Sequence, residues 1–194
     1  MQHADATQAM LSNYHGDNTL VNAHSPLAAA NARWPSATIT HVAGVNDTGT
    51  VATGGIPAAI AAAKAADLAV VFVGLTPCNG WGKQICNEGE SHDRNEHFAS
   101  SGELQLPGSQ QALVEAVAAA QPNYVIVLIN GGALGVDWIA KNPPAVVEAF
   151  YPGEMGGDAI VSVLSGDFNP TGRLPVTIYP EVTFYYANPP SFKV

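Results

Sequence analysis

Two stretches of this chain, LAVVFVG at Leu68–Gly74 and YVIVLI at Tyr124–Ile129, are apolar on both alternating sets of positions. A β-strand with two apolar faces has no side to give to water, so it belongs in a parallel sheet covered on both sides by helices. Between the two runs, Ser109–Ala120 carries Leu113, Val114 and Val117 at helical spacing, with Pro122 as a stop. Strand, helix, strand in that order is the unit from which such sheets are built.

The same alternation extends on either side. Ile56–Ala66, an alanine-dense segment opened near Pro57, is predicted to be a helix leading into the first apolar run. Ala145–Phe150 reads as a third buried strand, and Gly157–Leu164 as a helix ending at Gly166. A short helix is expected at Val136–Ala140 and another from Ser25 to Asn31, where a Ser cap precedes Pro26 in the first turn. Ala37–Ala43 alternates β-branched and polar residues and reads as a short strand. Arg173–Tyr179 contains Pro175, which suits an edge strand because proline cannot donate to two neighbours. The predicted architecture is a three-layer α/β/α sandwich with a mainly parallel sheet and one antiparallel edge strand. No repeat or linker divides residues 1–194, so one domain is expected.

Charge narrows the partners. With 7 basic and 16 acidic residues the formal charge is −9, which leaves no basic footprint for nucleic acid or an anionic membrane. No apolar run approaches the roughly 18 residues a membrane helix needs, and MQHADATQAM has no signal-like core. Cys78 and Cys86 flank NGWGKQI and could close a small loop in an oxidising compartment or stay as two thiols.

In sheets of this kind ligands meet the loops that leave the carboxyl ends of the strands. The loop from Leu75 to Pro107 is long, aperiodic and rich in charge, with Glu88, Glu90, His92, Asp93 and Arg94 close together. A carboxyl beside other carboxylates can be held protonated near neutral pH, as a general acid must be. The same residues also suit a solvated acidic loop in which Arg94 neutralises Asp93. Their spacing matches no zinc pattern, and neither a G-x-G-x-x-G fingerprint nor a G-x-S-x-G elbow is present, so no metal or cofactor is expected. Trp81, in a glycine-flanked polar loop, is a candidate to stack on a sugar ring, whereas Trp138 is expected to pack. The other rim segments hold Asn130, Gly131 and Gly132, and Tyr151, Pro152, Gly153 and Glu154.

Several of these runs together resemble one family. AADLAVVFVGL, an acidic loop ending in Asp93-Arg94, LPGSQQALVEAV, YVIVLINGG and above all AFYPGEMGGDAIVSVLSGDFNPTGRLPVTIYP are similar to the C-terminal α/β sandwich domain of glycoside hydrolase family 3. That family comprises β-glucosidases and β-xylosidases, and ADATQAMLSNYHG is similar to the segment that opens the same domain. The form E-x-E-x-x-D-R of the acidic loop suggests the β-xylosidase-like branch. The resemblance implies a retaining exo-acting hydrolysis of O-glycosyl bonds in β-linked oligosaccharides or glycosides. Its nucleophilic aspartate would lie on a TIM-barrel domain, in cis or in trans, and its acid/base glutamate on a sandwich loop. Glu88 matches the acid/base position, with Glu90 second; Asp93 and Arg94 would hold the loop in shape beside the substrate.

Three departures accompany the likeness. A barrel needs about 250 residues and has no room in this chain, so the isolated chain is expected to be inactive. The family's first apolar strand is replaced by Met1-Gln2, and the CNGWGKQIC insertion precedes Glu88. An extracellular or secretory setting is favoured for the parent enzyme. The alternative reading is a non-catalytic carbohydrate-binding or interaction domain.

Overall fold

A computed structural model describes residues 10–11, 24–45, 51–75, 106–132, 134–135 and 137–178. Strand β1 (Ala69–Gly74) pairs in parallel with β2 (Tyr124–Ile129), from Ala69 opposite Tyr124 to Gly74 opposite Ile129. The opposite side of β2 pairs in parallel with β3 (Ala145–Glu148), from Val125 opposite Ala145 to Leu128 opposite Glu148. The sheet order is therefore β1-β2-β3. Four helices accompany it among the described residues: α1 (Pro26–Arg33), α2 (Gly55–Ala65), α3 (Gln110–Ala120) and α4 (Gly156–Leu164).

Alternation along the strands separates two cores. Val71 and Val73 of β1 and Tyr124, Ile126 and Leu128 of β2 cluster with Ala59 and Ala63 of α2 and Leu113, Val114 and Val117 of α3. Val127 and Ile129 point to the other side, where they join Ile160 of α4 and Met10, with Val70, Phe72 and Leu164 around them. Helices thus cover both faces of β1 and β2, as their two-sided apolar sequence requires. The small alanine face of α2 lets that helix lie close to α3.

The outer layer is fastened at both ends of α4. Near its start, a methyl group on Gly157 would collide with the His24 carbonyl oxygen, so only glycine admits the segment that leads into α1. Ser25 caps α1 by accepting the Ala28 N–H at 3.1 Å. Beyond the other end, Gly166 turns the chain in the left-handed region (φ 79°) and donates to the Val163 carbonyl at 3.1 Å. Arg33 at the end of α1 then grips Asp167 with Nε at 2.8 Å and Nη2 at 3.0 Å, and Ser165 Oγ donates to the same carboxylate at 2.8 Å.

Four expectations are corrected. Ala37–Ala43 forms no strand, because alternation alone supplies no partner edge and this stretch finds none among the described residues. Over 137–141 the chain makes a hydrogen-bonded turn in which Lys141 and Asn142 both donate to the Trp138 carbonyl at 3.1 Å, and it is not helical there; Pro143 and Pro144 follow too closely for a helix to continue. The third strand stops at Glu148 and is partly exposed, with Val146 at 41%. Residues 173–178 form no strand; Arg173 instead donates to the Thr171 and Gly172 carbonyls, and Leu174 and Val176 stand exposed. No antiparallel edge strand is found among the described residues. Trp138 does pack against the core, as expected.

Candidate functional site at the carboxyl ends of the strands

The first strand ends on a glycine for a steric reason. Gly74 has φ 144°, and a methyl group there would collide with the Ile129 carbonyl oxygen of the neighbouring strand. Leu75 continues the pairing by donating to that same oxygen at 2.9 Å. From the start of α3 the fully buried Gln110 reaches across: its Oε1 accepts the Gly74 N–H at 2.8 Å and its Nε2 donates to the Gly74 carbonyl at 3.0 Å. One side chain thus satisfies both polar groups of the residue at which β1 stops, on a sheet edge where no strand is described. The long acidic segment departs immediately afterwards.

The second strand is followed by Asn130, only 2% exposed, whose Nδ2 donates to the Gly132 carbonyl at 3.0 Å and folds the Asn130-Gly131-Gly132 turn back on itself. On the third strand, Ala149 donates to the Leu128 carbonyl at 2.9 Å, extending the ladder one step beyond Glu148. Phe150 then adopts a left-handed conformation (φ 51°), rare for a residue with a side chain, and its N–H donates to Glu148 Oε1 at 3.1 Å. Burial pushes the Glu148 carboxyl above the usual carboxylate range, against the pull of the Phe150 N–H and the Asn130 side chain. The segment that follows returns to the sandwich through Gly153, which donates to the Met10 carbonyl at 2.9 Å, and enters α4 through Gly156.

The candidate residues divide accordingly. Asn130, Gly131, Gly132 and Tyr151 to Glu154 lie at the carboxyl ends of β2 and β3, as expected. Glu88, Glu90, Trp81, Asp93 and Arg94, and the pair Cys78 and Cys86, lie outside the described residues. No cluster of three or more metal-ligating side chains occurs among the described residues, and no described helix is long and apolar enough to cross a membrane. Two contributors to the rim were missed by sequence reasoning. Gln110 gave no signal because its partner is 36 residues away. Glu148 did give one, as the sole charge in a run read as a buried strand.

The described residues form an α/β sandwich whose parallel sheet has Gly74 at the end of its first strand and Asn130 just after its second. Residues 2–193 match the glycosyl hydrolase family 3 C-terminal domain, and the chain belongs to that family. Beta-D-xylosidase 1 of Arabidopsis thaliana is 38% identical over 183 residues, covering 92% of this chain and 21% of that protein. Beta-glucosidase B of Emericella nidulans is 44% identical over 119 residues, 61% of this chain and 12% of the relative. Among solved structures, a β-glucosidase from Erythrobacter marinus superposes with a TM-score of 0.68 at 28% identity, over 89% of this chain and 25% of that one. A family 3 exo-β-xylosidase bound to a xylobiose aziridine probe shares the fold, with a TM-score of 0.71 at 24% identity over 93% of this chain and 21% of that one. The chain therefore spans about a fifth of the length of the Arabidopsis relative.

Proposed function

We propose that this domain is the sandwich half of a retaining exo-acting β-glycosidase, a β-xylosidase or β-glucosidase, and that Glu88 is its general acid/base. The nucleophile would be an aspartate on a barrel domain facing the carboxyl ends of β1 and β2. Glu88 would protonate the glycosidic oxygen as the aspartate attacks the anomeric carbon, then take a proton from the water that releases the sugar. The two carboxyls of such a pair lie about 5–5.5 Å apart. Trp81 would stack on the sugar, and Asp93 and Arg94 would hold the loop by a charge-assisted pair.

The observation that carries this reading is the anchoring of Gly74 by Gln110. It fixes the point from which the acidic segment leaves the sheet, on the side where ligands meet α/β sandwiches. Kinship with relatives named as β-xylosidases and β-glucosidases supports the reaction class.

The test joins this chain to a family 3 barrel domain and assays aryl β-xylosides and β-glucosides. Glu88→Gln is expected to lower kcat by about 10²–10⁴. The loss should be smaller for a dinitrophenyl leaving group, which departs without a proton. If Glu90→Gln takes the larger loss, the role passes to Glu90; if neither variant loses activity, the reading fails.

A further inference from the structure

Leu75 and Leu106, between which Glu88 falls in the sequence, are anchored at one place in the fold. Alternate residues of β1 bond to the β2 side: Ala69 donates to the Asn123 carbonyl at 3.1 Å and Leu75 to the Ile129 carbonyl at 2.9 Å. The N–H and carbonyl of Gly74 therefore face the outer edge of the sheet, where Gln110 takes both, at 2.8 Å and 3.0 Å. Gln110 stands in the first turn of α3, which the chain enters from Leu106 through Pro107 and the left-handed Gly108 (φ 57°). Its own N–H donates to the Pro107 carbonyl at 3.3 Å. Leu75 and Leu106 are both buried in the core cluster that contains Leu113. One planar amide thus joins the departing stem to the returning one and fixes their orientation as well as their separation. It is fully buried, so water does not compete for its bonds.

We propose that Gln110 is a positioning residue for the proton-transfer step: it touches no substrate, and it sets the placement of Glu88 by clamping both stems of the segment that carries it. This rests on the reading of Glu88 as the general acid/base. A carboxyl must come within hydrogen-bond reach of the glycosidic oxygen to protonate it, and a misplacement of about 1 Å can cost about 10²-fold in rate. Without the clamp, β1 and α3 are still joined by the apolar cluster of Val71, Val73, Leu113 and Val114, but apolar contact fixes no direction. The loss therefore falls on bond cleavage that needs a proton, and less on cleavage that does not.

The test uses the chain joined to a family 3 barrel domain. It compares kcat/KM for an alkyl β-xyloside or β-glucoside, whose leaving group needs a proton, with kcat/KM for the dinitrophenyl glycoside, whose leaving group does not. Gln110→Met keeps the shape and loses both bonds; it is expected to lower kcat/KM by about 10–10² for the alkyl substrate and little for the dinitrophenyl one. Gly157→Ala, which strains the other face of the sheet, controls for lost stability and should leave the ratio of the two substrates unchanged. If Gln110→Met lowers both substrates alike, or neither, while Glu88→Gln shows the split, the positioning role is overturned and the reading of Glu88 stands. If Glu88→Gln shows no split, that reading fails and the role falls with it. Amide exchange at Gly74 in the whole chain reports the clamp without any activity: it should be slow in the wild type and fast in Gln110→Met, and an equally fast wild type overturns the clamp. Should Gln110→Met not fold, Gln110→Glu, which keeps the acceptor for the Gly74 N–H, is expected to show the same split to a smaller degree; no split in that variant refutes the proposal.

Discussion

Gln110 holds Gly74 by both of its backbone polar groups, the N–H at 2.8 Å and the carbonyl at 3.0 Å, although the two residues belong to different elements. Replacing Gln110 with Ala strands a buried donor and a buried acceptor at once. Each unsatisfied group costs about 1–3 kcal/mol, so Gln110→Ala should lose about 2–6 kcal/mol in a urea-unfolding measurement. Gln110→Glu keeps the acceptor and loses the donor, and should fall between the two.

Gly157 meets the backbone at His24, and no side chain can yield there. Gly157→Ala must push α4 and the start of α1 apart, at a cost of about 1–3 kcal/mol or more. Gly172 has open space around it and an ordinary backbone, so Gly172→Ala serves as the control and should shift the thermal midpoint little.

The Ser25 hydroxyl accepts one of the free N–H groups at the start of α1. Ser25→Ala should cost about 1 kcal/mol, whereas Ser25→Asp should retain most of the cap. Thermal unfolding of the three proteins side by side gives the comparison.

Asp167 is held down to about 2, first by the Arg33 hydrogen bonds and then by Ser165. A depressed carboxylate contributes stability that is complete above its unfolded value of about 3.9 and is lost as pH falls toward the folded value. Both partners face water, so the effect is small and screened by salt. Wild type should lose slightly more stability than Asp167→Asn between pH 4 and pH 2, and the difference should shrink at 1 M salt.

The strands and helices that bury apolar side chains were legible in the sequence. Tyr124–Ile129 begins and ends where its apolar run does, and α2, α3 and α4 start within a residue of the expected Ile56, Ser109 and Gly157. Ala37–Ala43 and Arg173–Tyr179 were not legible, because alternation or a proline describes a local preference and a strand also needs an edge to pair with. The rim was half legible: Asn130 and the Tyr151–Glu154 turn follow from strand ends, whereas the partner of Gly74 could not.

What the sequence determined by itself is the covered parallel sheet, since a strand apolar on both faces is stable only between two helical layers. The tertiary structure alone decided which polar groups meet at the rim. Gln110 with Gly74 and Arg33 with Asp167 are contacts between segments that only the folded chain brings within hydrogen-bond reach, and no spacing of residue types encodes distances of about 3 Å.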